Sequence, residues 1–253
     1  MIKQFLQDDL LVKVFATRDE MGGAAAFYIA ENISTLLLEK QEINMVFAAA
    51  LSQNELYGHL ILDKSVPWHK INAFHMDEYI GLPADAPQAF SNYLIKKLFD
   101  HCPFKTINLI NPYAENPADE CERYEALLEK FPPDIVCMGI GENGHIAFND
   151  PPVADFHDKK LVKIVELENA CRQQQVNDGA FSDLENVPAY AITLTIPALL
   201  NAAVISCVVP GPTKAKAVYN TINNAISTDC PATILRRTPT VVLFLDAESA
   251  ARL

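Results

Sequence analysis

Short apolar runs alternate with amphipathic stretches along nearly the whole chain. LVKVFA (11–16), INMVFAA (43–49), INAFHM (71–76), TINLI (106–110), DIVCMGI (134–140), AAVISCVVP (202–210) and TVVLFLD (240–246) have the length and apolar content of strands. Between them lie segments with apolar spacing near 3.6 residues. These are an Ala-rich stretch that Thr17 can cap and that runs to about Leu38, Asn54 to Leu62, QAFSNYLIKKLF (88–99), ADECERYEALLEKF (118–131) and KAKAVYNTI (214–222). Several strands are continuous apolar runs, which marks strands covered on both faces. The pattern predicts an α/β fold: a single-domain, doubly wound, mostly parallel sheet with helices on both faces, spanning residues 1–253. No low-complexity linker, repeat or charge block divides the chain.

In an open parallel sheet, ligands sit beyond the carboxyl ends of the strands. That rule singles out the polar segments that follow strands directly. They are Ser52-Gln53, Asp77-Glu78-Tyr79, Glu142 to Asp150, and Gly211-Pro212-Thr213-Lys214. A doubly wound sheet would bring them to one crevice.

Composition narrows the partners. Half of the 253 residues are hydrophobic and 21% are charged, which excludes a disordered chain. No run reaches the roughly 18 apolar residues of a membrane span, and the N-terminus has acids where a signal peptide has its apolar centre. A cytoplasmic protein is expected. The net charge of −12 disfavours nucleic acid and anionic membranes but leaves room for a small phosphorylated ligand in a local pocket. The six cysteines are scattered without a CxxC pair, several in apolar runs, as expected of buried reduced thiols and not of a disulfide frame or metal site.

Each polar segment offers chemistry. Asp77 follows an apolar strand, where partial burial raises a carboxyl's pKa and suits it to general base work; the plainer alternative has Asp77 capping a turn and Glu78 in solvent. GIGENGH (139–145) has the glycine spacing of a dinucleotide loop, but His145 and the prolines at 151 and 152 rule out the long helix that such a loop opens. Its glycines, Gly144 included, let backbone N–H groups approach a ligand. His145, five residues from Asp150, is a candidate acid/base, against the alternative of a structural histidine. GPTKAKAV (211–218) places Lys214 at a helix start, an anion site without P-loop spacing. Arg172 can grip a phosphate bidentately. Arg236-Arg237 is expected at the surface, with Trp68 and Tyr79 in the core.

Taken together, FHMDEYIGLP (74–83) and GIGENGHIAFND (139–150) resemble the F-N-M-D-E-Y-x-G-L-P and G-x-G-x-D-G-H-I-A-F-N-E strings of the glucosamine-6-phosphate deaminase/isomerase family, which shares its fold with the 6-phosphogluconolactonases. VPAYAITLTIPALLNA (187–202) and GPTKA (211–215) resemble later blocks, so the likeness runs nearly end to end. The resemblance implies a Rossmann-like fold and a cofactor-free conversion of glucosamine 6-phosphate and water to fructose 6-phosphate and ammonium. It places ring opening on His145, with Asp150 and Asn143 as orienters, and proton transfer between C2 and C1 on Asp77. It assigns the phosphate to Lys214, Arg172 and Ser52 with help from loop amides. No metal is implied. The partner implied is a small phosphorylated amino sugar, neither nucleic acid nor membrane, and a homo-oligomer stays open.

The departures cluster at the site. Asn143 replaces an aspartate and Asp150 a glutamate, AALSQ (49–53) replaces a T-G-G-T-P phosphate loop, and His75 replaces an asparagine. Glu142 is a candidate to supply the missing negative charge. The short C-terminal region implies no effector control. Two alternatives remain beside the deaminase: a sugar-phosphate sensor without catalysis, and a 6-phosphogluconolactonase-like hydrolase.

Overall fold

The computed structural model describes residues 1–253. The chain begins with two strands, β1 (Lys3–Gln7) and β2 (Leu10–Phe15), followed by helix α1 (Arg18–Leu36). Next come β3 (Ile43–Phe47), α2 (Asn54–Leu62), β4 (Ile71–His75), a short β5 (Asp77–Tyr79), α3 (Phe90–Lys97), β6 (Thr106–Asn108), α4 (Pro117–Lys130) and β7 (Ile135–Met138). The rest is β8 (Val162–Glu166), α5 (Asn169–Asn177), β9 (Tyr190–Leu194), α6 (Ile196–Leu200), β10 (Val204–Val209), α7 (Ala215–Asn223) and β11 (Val241–Asp246).

Eight strands form the main sheet in the order β1-β2-β11-β10-β7-β3-β4-β6. All its pairings are parallel except that of β1 with β2. Strand alternation sends successive side chains to opposite faces. On β3 and β7, Val46, Val136 and Met138 enter a core shared with Tyr124 of α4, Leu199 of α6 and Val218 of α7. Met45, Phe47, Ile135 and Cys137 enter the opposite core, shared with Ile29 of α1, Tyr57 of α2 and Leu94 of α3. This double coverage is why the central strands carry no alternation of polar residues.

Local signals set the helix ends. Thr17 caps α1 by accepting from the Glu20 N–H at 3.1 Å, and Asn116 caps α4 with Pro117 at its first position. Gly22 lies so close to α2 that an added Cβ would overlap Glu55, so α1 and α2 pack backbone to backbone there.

A second sheet was not legible in the sequence. It has three antiparallel strands in the order β5-β9-β8 and covers an apolar cluster of Tyr79, Phe148, Leu167 and Phe181 among others. It also turns Asp77 and Glu78 from loop residues into strand residues. Arg236 departs from expectation too: it is buried and donates to the carbonyls of Ile222 and Asn224. All six cysteines are buried and free, and Trp68 and Tyr79 are core residues. No helix is long and apolar enough to cross a membrane.

After β3 the chain moves outward to β4 and β6, then returns to β7 and moves the other way to β10 and β11. The order therefore reverses between β3 and β7. A crevice must open at their carboxyl ends, because the connections leave in opposite directions.

Candidate active site

A cavity of about 610 Å³ fills that crevice. The loop after β3 supplies Ala48 to Ser52, β5 supplies Asp77, the loop after β7 supplies Gly139, Gly141 and His145, and the turn after β10 supplies Gly211 to Lys214. The polar segments expected to converge thus do so. Gln53 sits buried beneath them and ties three strand ends together. Its Nε2 donates to Ser52 Oγ and to the Met138 carbonyl, each at 3.0 Å, and more weakly to the Val208 carbonyl at 3.4 Å.

His145 owes its pose to its loop. Gly141 and residue 145 exchange a backbone bond, Gly141 N–H to the His145 carbonyl at 3.0 Å, and Gly144 donates back to the Gly141 carbonyl. The imidazole lies directly over the Gly141 α-carbon, where any Cβ would overlap the ring. Gly141 is therefore needed for space, not for dihedral freedom. Gly144 has φ +87°, and a Cβ there would also strike Cys230. Asn149 pins the far end of the loop by donating to the Ile146 and Leu194 carbonyls.

Behind the ring, Nδ1 lies 2.8 Å from Asp150 Oδ1. Burial pushes the Asp150 carboxyl up, but the hydrogen bond and charge of His145, with the amide of Asn143, outweigh it and hold it below its usual range. Asn143 donates through Nδ2 to Asp150 Oδ1 and to Glu168 Oε2, each at 2.9 Å, and accepts from the His145 N–H. Glu168, at the start of α5, was not foreseen. Glu142, the expected source of compensating charge, does not line the cleft; its N–H donates to Gln174 Oε1. A histidine whose rear nitrogen rests on a buried carboxylate has one tautomer fixed and its other nitrogen free for proton transfer.

His145, Asp150 and Cys171 bring one donor atom each within 4.8 Å of one another. The 2.8 Å between nitrogen and oxygen is a hydrogen-bond length. Burial and then the Asp150 charge push the Cys171 thiol well up, so it stays protonated. The set is suited to sharing protons.

Asp77 and Glu78 reverse the simplest expectation. Neighbours on a strand point to opposite faces. Glu78, fully buried, accepts from the Phe90 and Ser91 N–H groups at 2.9 and 2.7 Å, satisfying the first turn of α3. Burial raises its pKa, and these bonds partly counter the rise. Asp77 faces the cleft. Burial, and then the Glu78 charge, push its carboxyl well above the usual range. It has no hydrogen bond to a side chain or to a backbone N–H, so no protein group competes with a ligand for its oxygens.

At the other end of the cleft stand Ser52 and Lys214. Gly211, at φ +91°, donates its N–H to both Asp246 oxygens, which fixes the turn that carries Lys214. Burial pulls the Lys214 pKa down, against the opposing charges of Asp178 and Glu142. Two expected binders are elsewhere. Arg172 does not line the cavity; its guanidinium donates to the Leu184 and Val187 carbonyls and fastens α5 to the following turn. Gly144 is spent on the loop itself. One cation that the sequence did not single out is present instead, Arg18 at the start of α1.

The profile of the family described as glucosamine-6-phosphate isomerases/6-phosphogluconolactonase matches residues 16–243. The glucosamine-6-phosphate deaminase of Bacillus cytotoxicus is 35% identical over 225 residues, covering 89% of this chain and 82% of that protein. That of Bacillus thuringiensis is 34% identical over 238 residues, covering 94% and 87%. Among solved structures, one described as a monomeric glucosamine-6-phosphate deaminase superposes with a TM-score of 0.87 at 29% identity, over 96% of this chain and 99% of that one. A 6-phosphogluconolactonase from Thermotoga maritima superposes at 0.76 with 20% identity, over 94% and 99%, a likeness of fold alone.

Proposed function

Because the chain belongs to the glucosamine-6-phosphate isomerase/6-phosphogluconolactonase family, we propose that it converts glucosamine 6-phosphate and water to fructose 6-phosphate and ammonium. Residues 1–253 act as one unit in this reading. The observation that carries it is the pairing of two proton-transfer groups in one cavity: Asp77, bare and of raised pKa, and His145, backed by Asp150.

The pyranose opens first. His145 takes the proton of the C1 hydroxyl and returns one to the ring oxygen, while Asp150 holds the imidazole and balances its charge. Asp77 then removes the C2 proton of the open aldehyde and delivers it to C1. The intermediate is an enol that carries the amino group, and its collapse leaves an imine at C2. Water adds there and ammonia departs, leaving the ketone. A carboxylate of raised pKa is a stronger base than one in water, which a weakly acidic C–H requires.

The same observation separates the alternatives. Hydrolysis of a lactone moves no C–H proton and gives Asp77 no task. A sensor would keep a buried, unpaired carboxylate at a cost in stability without using it. The test is an assay of purified protein with glucosamine 6-phosphate, reading ammonium and fructose 6-phosphate together, with galactosamine 6-phosphate and 6-phosphogluconolactone in parallel. Equal amounts of the two products support the reading. Acid release from the lactone without any ammonium would replace it with the hydrolase, and release only from the galacto sugar would change the substrate.

A further inference from the structure

We infer that Arg18 binds the phosphate of the substrate, supplying with a guanidinium what a glycine loop supplies with backbone amides. The inference deepens the proposed function and rests on it for the identity of the ligand.

The need comes from the loop after β3. Residues 48–53 read AAALSQ and contain no glycine. The N–H groups of Ala48 and Gln53 are spent on the Cys137 and Ala50 carbonyls, which leaves those of Ala49 to Ser52 as neutral donors beside Arg18. Arg172 lies outside the cavity lining, where its Nη2 donates to the Leu184 and Val187 carbonyls. Lys214 is left, and burial weakens its hold on a proton. A phosphate monoester brings up to two negative charges into a cleft that already holds Asp77 and Asp178, in a chain of net charge −12. One ammonium is a poor match for up to two negative charges, and a guanidinium adds a second cation whose fork suits a phosphate.

Arg18 is placed for the task by helix packing. It is the first residue of α1, and Glu55 is the second residue of α2. The bare face of Gly22 lets the two helices touch at Glu55, and this brings Arg18 over the loop that begins the cleft. Arg18 Nε donates to Glu55 Oε1 at 2.8 Å, and Nη2 donates to the Leu51 carbonyl. Nη1 has no partner within the protein. The side chain is 39% exposed and lines the cavity together with Ser52 and Lys214. Two bonds thus fix the fork and leave Nη1, with both of its N–H groups, for an anion. A guanidinium latched in advance loses little freedom when a ligand arrives.

The test uses the full chain and its variants Arg18→Ala and Arg18→Lys. Inorganic phosphate is titrated by calorimetry, and kcat and KM are measured with glucosamine 6-phosphate; thermal melts establish that each variant is folded. Loss of a charge-assisted contact weakens binding roughly ten- to a hundredfold. The expected result is a rise of that size in phosphate Kd and in KM for Arg18→Ala, with kcat within a few-fold, and a smaller rise for Arg18→Lys, which keeps the charge but loses the fork. Unchanged Kd and KM in both variants overturn the inference and leave the proposed function standing if the wild type releases ammonium. A raised KM with unchanged phosphate Kd also overturns it, because the effect is then structural. Phosphate binding that depends on Arg18, in a wild type that releases no ammonium, overturns the proposed function and supports the anion site. A wild type that neither turns over nor binds phosphate overturns both.

Discussion

Asn143 donates its Nδ2–H to Asp150 Oδ1 at 2.9 Å, the same oxygen that lies 2.8 Å from the His145 imidazole. The other Nδ2 hydrogen goes to Glu168 at 2.9 Å. An amide therefore holds two carboxylates together where the family motif has an acid. The charge behind His145 is carried by Asp150, with Glu168 one amide away, and the loss of an aspartate at 143 is a redistribution of charge and not a deficit.

It follows that Asn143→Asp, although it restores the family residue, harms this protein. The change removes two donors and sets a third carboxylate against two others. Stability is expected to fall by about 1–3 kcal/mol at pH 7, with a lower kcat on glucosamine 6-phosphate. Thermal denaturation and steady-state rates check it. A variant with unchanged melting and a higher kcat would remove the bridging role assigned to Asn143.

Gly141 is the floor beneath His145. A Cβ at that position must displace the ring, because the two overlap. Gly141→Ala is expected to lower kcat on the order of a hundredfold, the size of effect that misplacing a reacting group by about 1 Å produces. Phosphate affinity and the far-UV circular dichroism spectrum should be unchanged. Near-normal turnover would mean that His145 is not held where catalysis needs it.

His75 links stability to pH. It is fully buried on β4, and its Nε2 accepts from the Ile110 N–H at 3.2 Å while Nδ1 has no partner. Burial lowers its pKa from 6.5 to about 3. In the unfolded chain it binds a proton below about pH 6.5, and in the folded protein only near pH 3. The stability present above pH 6.5 is therefore lost as pH falls, by up to about 1.4 kcal/mol per pH unit. His75→Asn should flatten the curve of unfolding free energy against pH between 6.5 and 5. Parallel wild-type and variant curves in denaturant titrations across that range would refute the assignment.

The sequence made the parallel core legible because strands covered on both faces must be continuously apolar, as VISCVV in β10 is. It hid β1, which has no buried position, β8, which mixes exposed and buried ones, and β9, where Thr193 interrupts the apolar run although four of its five residues are buried. At the site, His145 and Asp77 were legible because each lies in a polar segment that follows an apolar strand. Which of Asp77 and Glu78 would face the cleft was not, because that depends on β5 pairing with β9. Arg172 misled for the reverse reason: an arginine among amides looks free, yet distant carbonyls claim it. Glu168 and Arg18 could not be found by spacing, since only the packing of α5 and of α1 against α2 brings them to the site.

The most direct measurement is the rate of ammonium release from glucosamine 6-phosphate by the wild type and by Asp77→Asn. The isosteric amide cannot accept the C2 proton, and it also relieves a buried charge. Turnover is expected to be abolished while the variant still binds phosphate and melts at or above the wild-type temperature. An Asp77→Asn protein with near-normal ammonium release would contradict the central claim that this carboxylate moves the proton between C2 and C1.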